Sequence, residues 1–333
     1  MKHIISTLLV ASLATLMPHA AQAQDYRLVW SDEFDGTAVS ANWNVVDNDS
    51  PYNNELQAYT SRPENVSVED GNLVITARRE QHGTRSFTSA RLDTHGRVSF
   101  THGRLVARIK LPRLANGLWP AFWMMGEELG EGAWPRCGEV DIMEAGQAAA
   151  IAAGTVERTL AGTMHWGESV EKHQMYAPGN VTVDADITGD GYHTYTMEWD
   201  ETQMRFFLDD SAEPYFSKSI RSGFALSKYF HNPFYIILNL AVGGDYTGIL
   251  SPSAVTALPV DGSEAKMLVD YVRLYQKVGS ENVTTGIGSV ADGAAATAAP
   301  GSAQCFNLMG QAVDPATARH GIYVTNGRKV ALR

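Results

Sequence analysis

Three carboxylates stand in the hexapeptide Glu139-Val140-Asp141-Ile142-Met143-Glu144. Carboxylates this close are the equipment of glycoside hydrolysis, in which one acid protonates the leaving oxygen while a second attacks carbon or activates water. In a β-strand successive side chains point to opposite faces, so Glu139 and Asp141 share one face while Val140 and Ile142 share the other. Glu144 has the wrong parity. For all three to meet one substrate an extra residue must be inserted near Ile142-Met143, and a β-bulge does this while re-aiming the side chain that follows. The sequence therefore predicts a bulge there. Glu139 and Glu144 then lie about four strand steps apart, roughly 13 Å between Cα atoms at ~3.3 Å per residue. Two glutamates leaning together close much of that gap, toward the ~5 Å that permits direct attack on carbon. Carboxylates so placed cannot all ionise cheaply, so one keeps its proton and becomes the acid. The competing reading is a solvated acidic strand edge, the ordinary fate of charged side chains.

The elements around this stretch are β. From Tyr26 to Gln276 short apolar segments alternate with turn residues, and no long amphipathic helix interrupts them. In residues 103–111, Leu105, Ala107, Ile109 and Leu111 alternate with Arg104, Arg108 and Lys110, as in a half-buried antiparallel strand. Segments 72–78, 192–199, 204–208 and 267–276 read likewise, with Asp200-Glu201-Thr202 as a hairpin loop. Phe234 to Val242 is nearly all apolar and reads as a central strand buried on both faces. Asn239 interrupts it, either as a structural hydrogen-bonder or as a group reaching a cleft. The Ala/Gly-rich residues 147–162 read as a loop. Many strands without helices predict an all-β sandwich or jelly roll.

The chain has 333 residues, 44% of them hydrophobic, enough for one large β domain or two smaller ones. Residues 1–23 open with Lys2 and His3, run through an apolar stretch from Ile4 to Met17 and end Ala21-Gln22-Ala23, a cleavable export signal. A secreted protein is expected. No later apolar run reaches the ~20 residues of a membrane span. Formal charge is −11, and an acidic surface repels polyanions, which argues against nucleic acid and favours a neutral partner. Cys137 and Cys305 are expected as unpaired thiols, and the protein as a monomer. The expected division is a signal at 1–23, a catalytic domain at 24–277, and a linker with a short C-terminal segment at 278–333, the linker Ala/Gly/Ser/Thr-rich.

Glu-Val-Asp-Ile-Met-Glu, preceded by Gly117-Leu118-Trp119-Pro120-Ala121-Phe122-Trp123-Met124 and Trp134-Pro135, closely resembles the active-site region of glycoside hydrolase family 16, in the form carried by its laminarinase branch of endo-β-1,3-glucanases. Further matches are Trp30 to Gly36, Asn53 to Gln57, Glu69 to Leu73, Ile236 to Gly244 and Val269 to Arg273. The resemblance implies a β-jelly roll of two curved antiparallel sheets with a substrate cleft on the concave face. It implies Glu139 as nucleophile and Glu144 as general acid/base of a retaining double displacement, with Asp141 hydrogen-bonded to Glu139. Sugars stack on aromatic faces, so Trp119, Trp134 and Trp166 are cleft candidates, while Trp30, Trp43 and Trp199 are assigned to the core. By family position Asn54, Glu55, Arg91, His165 and Asn239 are substrate-site candidates. A structural calcium is implied at Asp270, Gly71 and Glu33, with no cofactor needed for catalysis. The implied partner is a neutral β-glucan, either β-1,3-linked or mixed-linkage. The family also includes agarases and non-catalytic β-glucan-binding relatives. The segments 305–311 and 321–330 resemble C-terminal segments of secreted Bacteroidetes proteins, some of which are sorting signals.

Overall fold

The computed structural model describes residues 26–285, apart from Leu129 and Asp190, and the backbone of four strands between 305 and 332. The export signal expected at 1–23 lies outside the described residues. Two compact units divide the chain, residues 1–287 and 288–333.

The first unit is a sandwich of two sheets. One runs, in spatial order, Phe216–Ser219, Gln203–Leu208, His193–Trp199, Gly103–Lys110, Glu264–Lys277, Asn72–His82, Arg85–Ser89 and Gln57–Tyr59, with Tyr26–Asp32 beside Glu264–Lys277 and Val66–Glu69 beside Asn72–His82. The other runs Gln174–Tyr176, Thr159–Trp166, Glu139–Ala145, Leu118–Gly126, Phe234–Val242, Arg91–Asp93 and Asn44–Val45. Pairing between these strands is antiparallel except for Gln57–Tyr59 against Arg85–Ser89. The alternation read in the sequence makes the core: Leu105, Ile109, Tyr195, Met197, Phe206, Val269 and Leu274 from the first sheet meet Phe122, Met124, Val140, Met164, Ile236, Leu238 and Leu240 from the second. Trp30, Trp43 and Trp199 are buried there, as expected.

Phe234–Val242 is buried at every position. Its even-numbered residues face the core between the sheets, and its odd-numbered residues Tyr235 and Ile237 join a second, smaller apolar cluster with Met125, Cys137, Trp123 and Trp134. Both faces of this strand are therefore covered, and the second cluster is the floor on which the carboxylates stand. Cys137 is buried and forms no disulfide, while the side chain of Cys305 lies outside the described residues.

Two expectations need correction. Residues 147–162 are not one loop: Ala148–Ala153 is an α-helix closed by Gly154 in the left-handed conformation, φ 68°, and Thr159 already begins a strand. Alanine is the strongest helix former, and its run favours helix although it offers little to pack. The linker also starts later than Gly279. Thr284 and Thr285 pair with Ser99 and Val98, and Asn282 bonds to Thr101 and Gln276, so this segment belongs to the sandwich. In the second unit, Cys305–Asn307, Ala312–Val313, Gly321–Thr325 and Arg328–Leu332 form a four-stranded sheet of their own.

Candidate active site

The register of the second sheet sets the site out in rows. Across neighbouring strands on its outward face lie Arg91, Asn239, Ala121, Glu144 and Ala161 in one row, and Asp93, Ile237, Trp123, Asp141 and Thr163 in the next. Tyr235, Met125, Glu139, His165 and Met175 make the third. The predicted bulge is present. Asp141 and Glu144 face Thr163 and Ala161, so two residues, Ile142 and Met143, oppose the single Gly162. Both bulged side chains turn to the core, and Glu144 is brought round to the face that holds Glu139 and Asp141.

Each carboxylate has its own support. Trp119 donates its indole N–H to Glu144 Oε1 at 2.9 Å, and Tyr246 stacks on the Trp119 ring, centroids 4.8 Å apart. Trp134 donates to Glu139, and Glu139 and Asp141 share a hydrogen bond. His165 Nε2 lies 3.3 Å from Asp141 Oδ2 and 3.9 Å from Glu139 Oε1. Its other nitrogen, Nδ1, meets His173 Nε2 at 2.9 Å, and Trp134 lies against both histidine rings.

Three carboxylates packed this closely raise one another. Burial pushes Glu139 up to about 8, with the Asp141 charge adding to it. Burial likewise lifts Asp141 to about 8. Glu144 is held well above the usual carboxylate range, first by burial and then by the charge on Asp141. The Trp134 hydrogen bond and His165 act the other way on Glu139, and the Trp119 hydrogen bond and His165 do the same on Glu144. A proton-bearing carboxyl beside one that can ionise is the arrangement required of an acid and a nucleophile.

The other expected site residues sort into those at the surface of the cleft and those beneath it. Trp119 and Trp134 flank the carboxylates, each donating a hydrogen bond to one of them. Asn239 sits under the row, where its Oδ1 accepts the Trp123 indole N–H at 2.7 Å and its Nδ2 donates to the Tyr59 hydroxyl at 3.3 Å. Arg91 lies over the ring of Trp123, 4.7 Å from its centre. Asn54 is exposed at the rim and spends its amide on Asp245, at 2.9 and 3.1 Å. Glu55 is buried, its Oε2 accepting from Gln57 at 2.6 Å and from Tyr59 at 2.8 Å. It holds the Tyr59 hydroxyl, which in turn accepts from Asn239.

Trp166 is a correction. It follows His165, so alternation turns it to the core, where it is 8% exposed and packs edge-on against Phe230. Tyr246 and His173 were missed by sequence reasoning. For Tyr246 the signal was present: it follows Gly243-Gly244-Asp245 directly after the buried central strand, at the point where the chain must turn back over the cleft.

The register also brings the expected calcium ligands to one edge. Asp32 pairs with Val272 and Leu73 with Val269, and Asp270 lies at a bulge between them. Gly71 is there with φ 74°, a Cβ at its position lying 3.9 Å from Asp35 Oδ1. Glu33 and Asp270 already have arginine partners, Arg273 and Arg108. These are half-exposed pairs worth roughly 0–1 kcal/mol, and backbone carbonyls with one carboxylate form a donor set suited to calcium. The residues fit the ion. Among the described residues the one group of three ligating side chains within reach of each other is Glu139, Asp141 and His165.

A two-sheet β sandwich with paired carboxylates and tryptophans on one open face defines a class, the polysaccharide hydrolases. The comparisons narrow it. The family model described as beta-porphyranase A-D, GH16 domain, matches residues 28–277. The chain is 37% identical to a glucan endo-1,3-beta-glucosidase of Cryptopygus antarcticus, over 66% of this chain and 82% of that one. It is 34% identical to the clotting factor G alpha subunit of Tachypleus tridentatus, over 75% of this chain but 34% of that longer protein. A family 16 enzyme of Bacteroides ovatus from a mixed-linkage glucan locus, solved with its G4G4G3G product, superposes with a TM-score of 0.67 at 35% identity, covering 74% of this chain and 100% of that one. The chain belongs to glycoside hydrolase family 16. The family match stops at residue 277 and leaves the C-terminal unit outside it.

Proposed function

We propose that this chain is an exported, endo-acting, retaining β-glucanase that cleaves β-1,3-glucan and, as a second substrate, mixed-linkage β-1,3-1,4-glucan. The observation that carries the reading is the bulge that sets Glu139, Asp141 and Glu144 on one face, each with its own support from Trp119, Trp134 or His165. Glu139 attacks the anomeric carbon as the bond to the leaving oxygen breaks, and Glu144 gives that oxygen its proton. Once Glu139 is an ester its charge is gone, and Glu144 takes a proton from the water that attacks the same carbon and releases Glu139. Asp141 shares the proton economy of Glu139 through their hydrogen bond. Substrate class is supported by the relatives, one named for 1,3-β-glucan and one solved with a mixed-linkage product. Export is supported by residues 1–23.

A second reading, a galactan hydrolase, is favoured by the porphyranase name of the matching family model. Sulfated galactans call for basic side chains to pair with sulfate, whereas Arg91 here covers Trp123. The test is a substrate panel of laminarin, mixed-linkage glucan, cellulose, agarose and porphyran, with early products mapped and their anomeric configuration followed by NMR. Short β-1,3-linked products of several lengths, with configuration retained, are expected. Cleavage of porphyran or agarose with laminarin inert would replace the substrate and leave the carboxylate chemistry standing. Glu139→Gln is expected to lose several orders of magnitude in kcat, and a variant with near-native turnover would reduce the chain to a different mechanism. Binding of laminarin without turnover by the wild type would make it a glucan-binding protein.

A further inference from the structure

The bulge that turns Glu144 outward leaves one residue without a place in the sheet. On one side Trp123 pairs with Asp141 and Phe122 with Met143; on the other Thr163 pairs with Asp141 and Ala161 with Glu144. Ile142 has no register partner in either neighbour. Its carbonyl accepts a hydrogen bond from the hydroxyl of Tyr215, which reaches it from the opposite sheet.

Tyr215 is itself anchored. It lies directly before the strand Phe216–Ser219, its N–H donates to the Phe206 carbonyl at 2.9 Å, and its ring packs edge-on against Phe206. Phe206 in turn stacks on Phe216, with ring centres 4.2 Å apart. The residue facing the bulge across the neighbouring strand is Gly162, and there a Cβ would stand 2.7 Å from the Phe206 ring and 3.3 Å from Phe216 Cβ. Only a glycine lets the two sheets approach this closely under the bulge. An extra residue in a ladder tends to slip unless its freed backbone group is held, because a buried carbonyl without a donor is costly.

We propose that Tyr215 is a positioning residue for Glu144: by holding the Ile142 carbonyl it fixes the bulge that aims Glu144 at the leaving oxygen. The proposal rests on the reading of Glu144 as acid/base. Tyr215 touches no substrate, since it sits between the sheets. Its effect is on proton delivery, and proton delivery matters in proportion to how badly the leaving group needs a proton.

The experiment compares wild type, Tyr215→Phe and Glu144→Gln by kcat/KM on laminarin and on 2,4-dinitrophenyl β-laminaribioside, whose leaving group departs without a proton. Tyr215→Phe keeps the ring and its packing. It is expected to lose about ten-fold or more on laminarin, the scale of a displaced catalytic group, and less than about two-fold on the aryl glycoside. A lowered melting temperature with both substrates equally affected, or with neither affected, overturns the proposal. Glu144→Gln should show the same split more strongly. If it shows none, the acid/base reading has failed and not the bracing by Tyr215. Gly162→Ala pushes on the same bulge through Phe206. Where Tyr215→Phe does not fold, Gly162→Ala must give the split, and equal losses on the two substrates count against the proposal.

Discussion

The indole N–H of Trp119 points at Glu144 Oε1 from 2.9 Å, two residues along its strand from Ala121, the register partner of Glu144. A donor in this position favours the ionised carboxylate, so it lowers a carboxyl that burial otherwise holds well up. It therefore restrains how far Glu144 climbs. Trp119→Phe keeps an aromatic ring against Tyr246 and removes the donor. Glu144 should then hold its proton to higher pH, and the alkaline limb of kcat/KM on laminarin should move up, on the order of one pH unit. A limb that stays in place or moves down would show that Glu144 does not govern it.

The second prediction concerns where the folded unit ends. Asn282 accepts from the Thr101 N–H and from Gln276, donates its amide to the Thr101 carbonyl and its backbone N–H to Gln276 Oε1, all between 2.7 and 3.0 Å. Thr284 and Thr285 extend the second sheet beside it. A chain cut after Val278 loses all of these, and one cut after Ile287 keeps them. The shorter protein should melt several degrees lower, as expected for a few partly buried bonds of about 1 kcal/mol each, while kcat/KM well below the transition is the same in both. Equal melting temperatures would return the boundary to Val278.

Alternation explains both what the sequence made legible and what it did not. The bulge could be read because three carboxylates of mixed parity admit one economical solution, and Phe234–Val242 because an apolar run with no polar face has to be covered on both sides. The same parity rule, applied to His165-Trp166, excludes one of the two from the cleft, and Trp166 is the one that goes inside. Glu55 was out of reach of any local argument. Its depth is set by Tyr59 and by Gly243, to which it is bridged, and pairing between segments so distant leaves no periodic trace in either. The segment around Asn282 read as linker because its composition is that of a loop; four hydrogen bonds and the packing of the single apolar Val283 hold it.

Calcium is the third test. The proposed ligands are the carbonyls of Glu33 and Gly71 and the carboxylate of Asp270, on the sheet that does not carry Glu139. Bound ion stabilises the native state by mass action, and Arg108 must swing off Asp270 to admit it. Chelator should lower the melting temperature, with kcat at low temperature unchanged, and Asp270→Ala should abolish the response to added calcium. A melting temperature indifferent to both chelator and calcium discards the site.

The last prediction follows from the raised carboxyls. In the unfolded chain a glutamate releases its proton near 4.5, whereas burial and Asp141 keep Glu139 protonated in the fold up to about 8. Between these values the native state holds more protons than the unfolded state, so stability is greatest below the unfolded value and is lost as pH rises through the window. Glu139→Gln removes one member of the cluster and relieves the others. A relief of one to two pKa units is worth about 1–3 kcal/mol, which at roughly 2–4 °C per kcal/mol for a domain of this size is readily measured. The variant should melt near the wild type at pH 5 and above it at pH 8, so the cluster that makes the site chemically competent also lowers its stability. Melting curves of the two proteins across that range decide it, and a difference that does not grow between pH 5 and pH 8 would mean that Glu139 is already ionised in the folded enzyme.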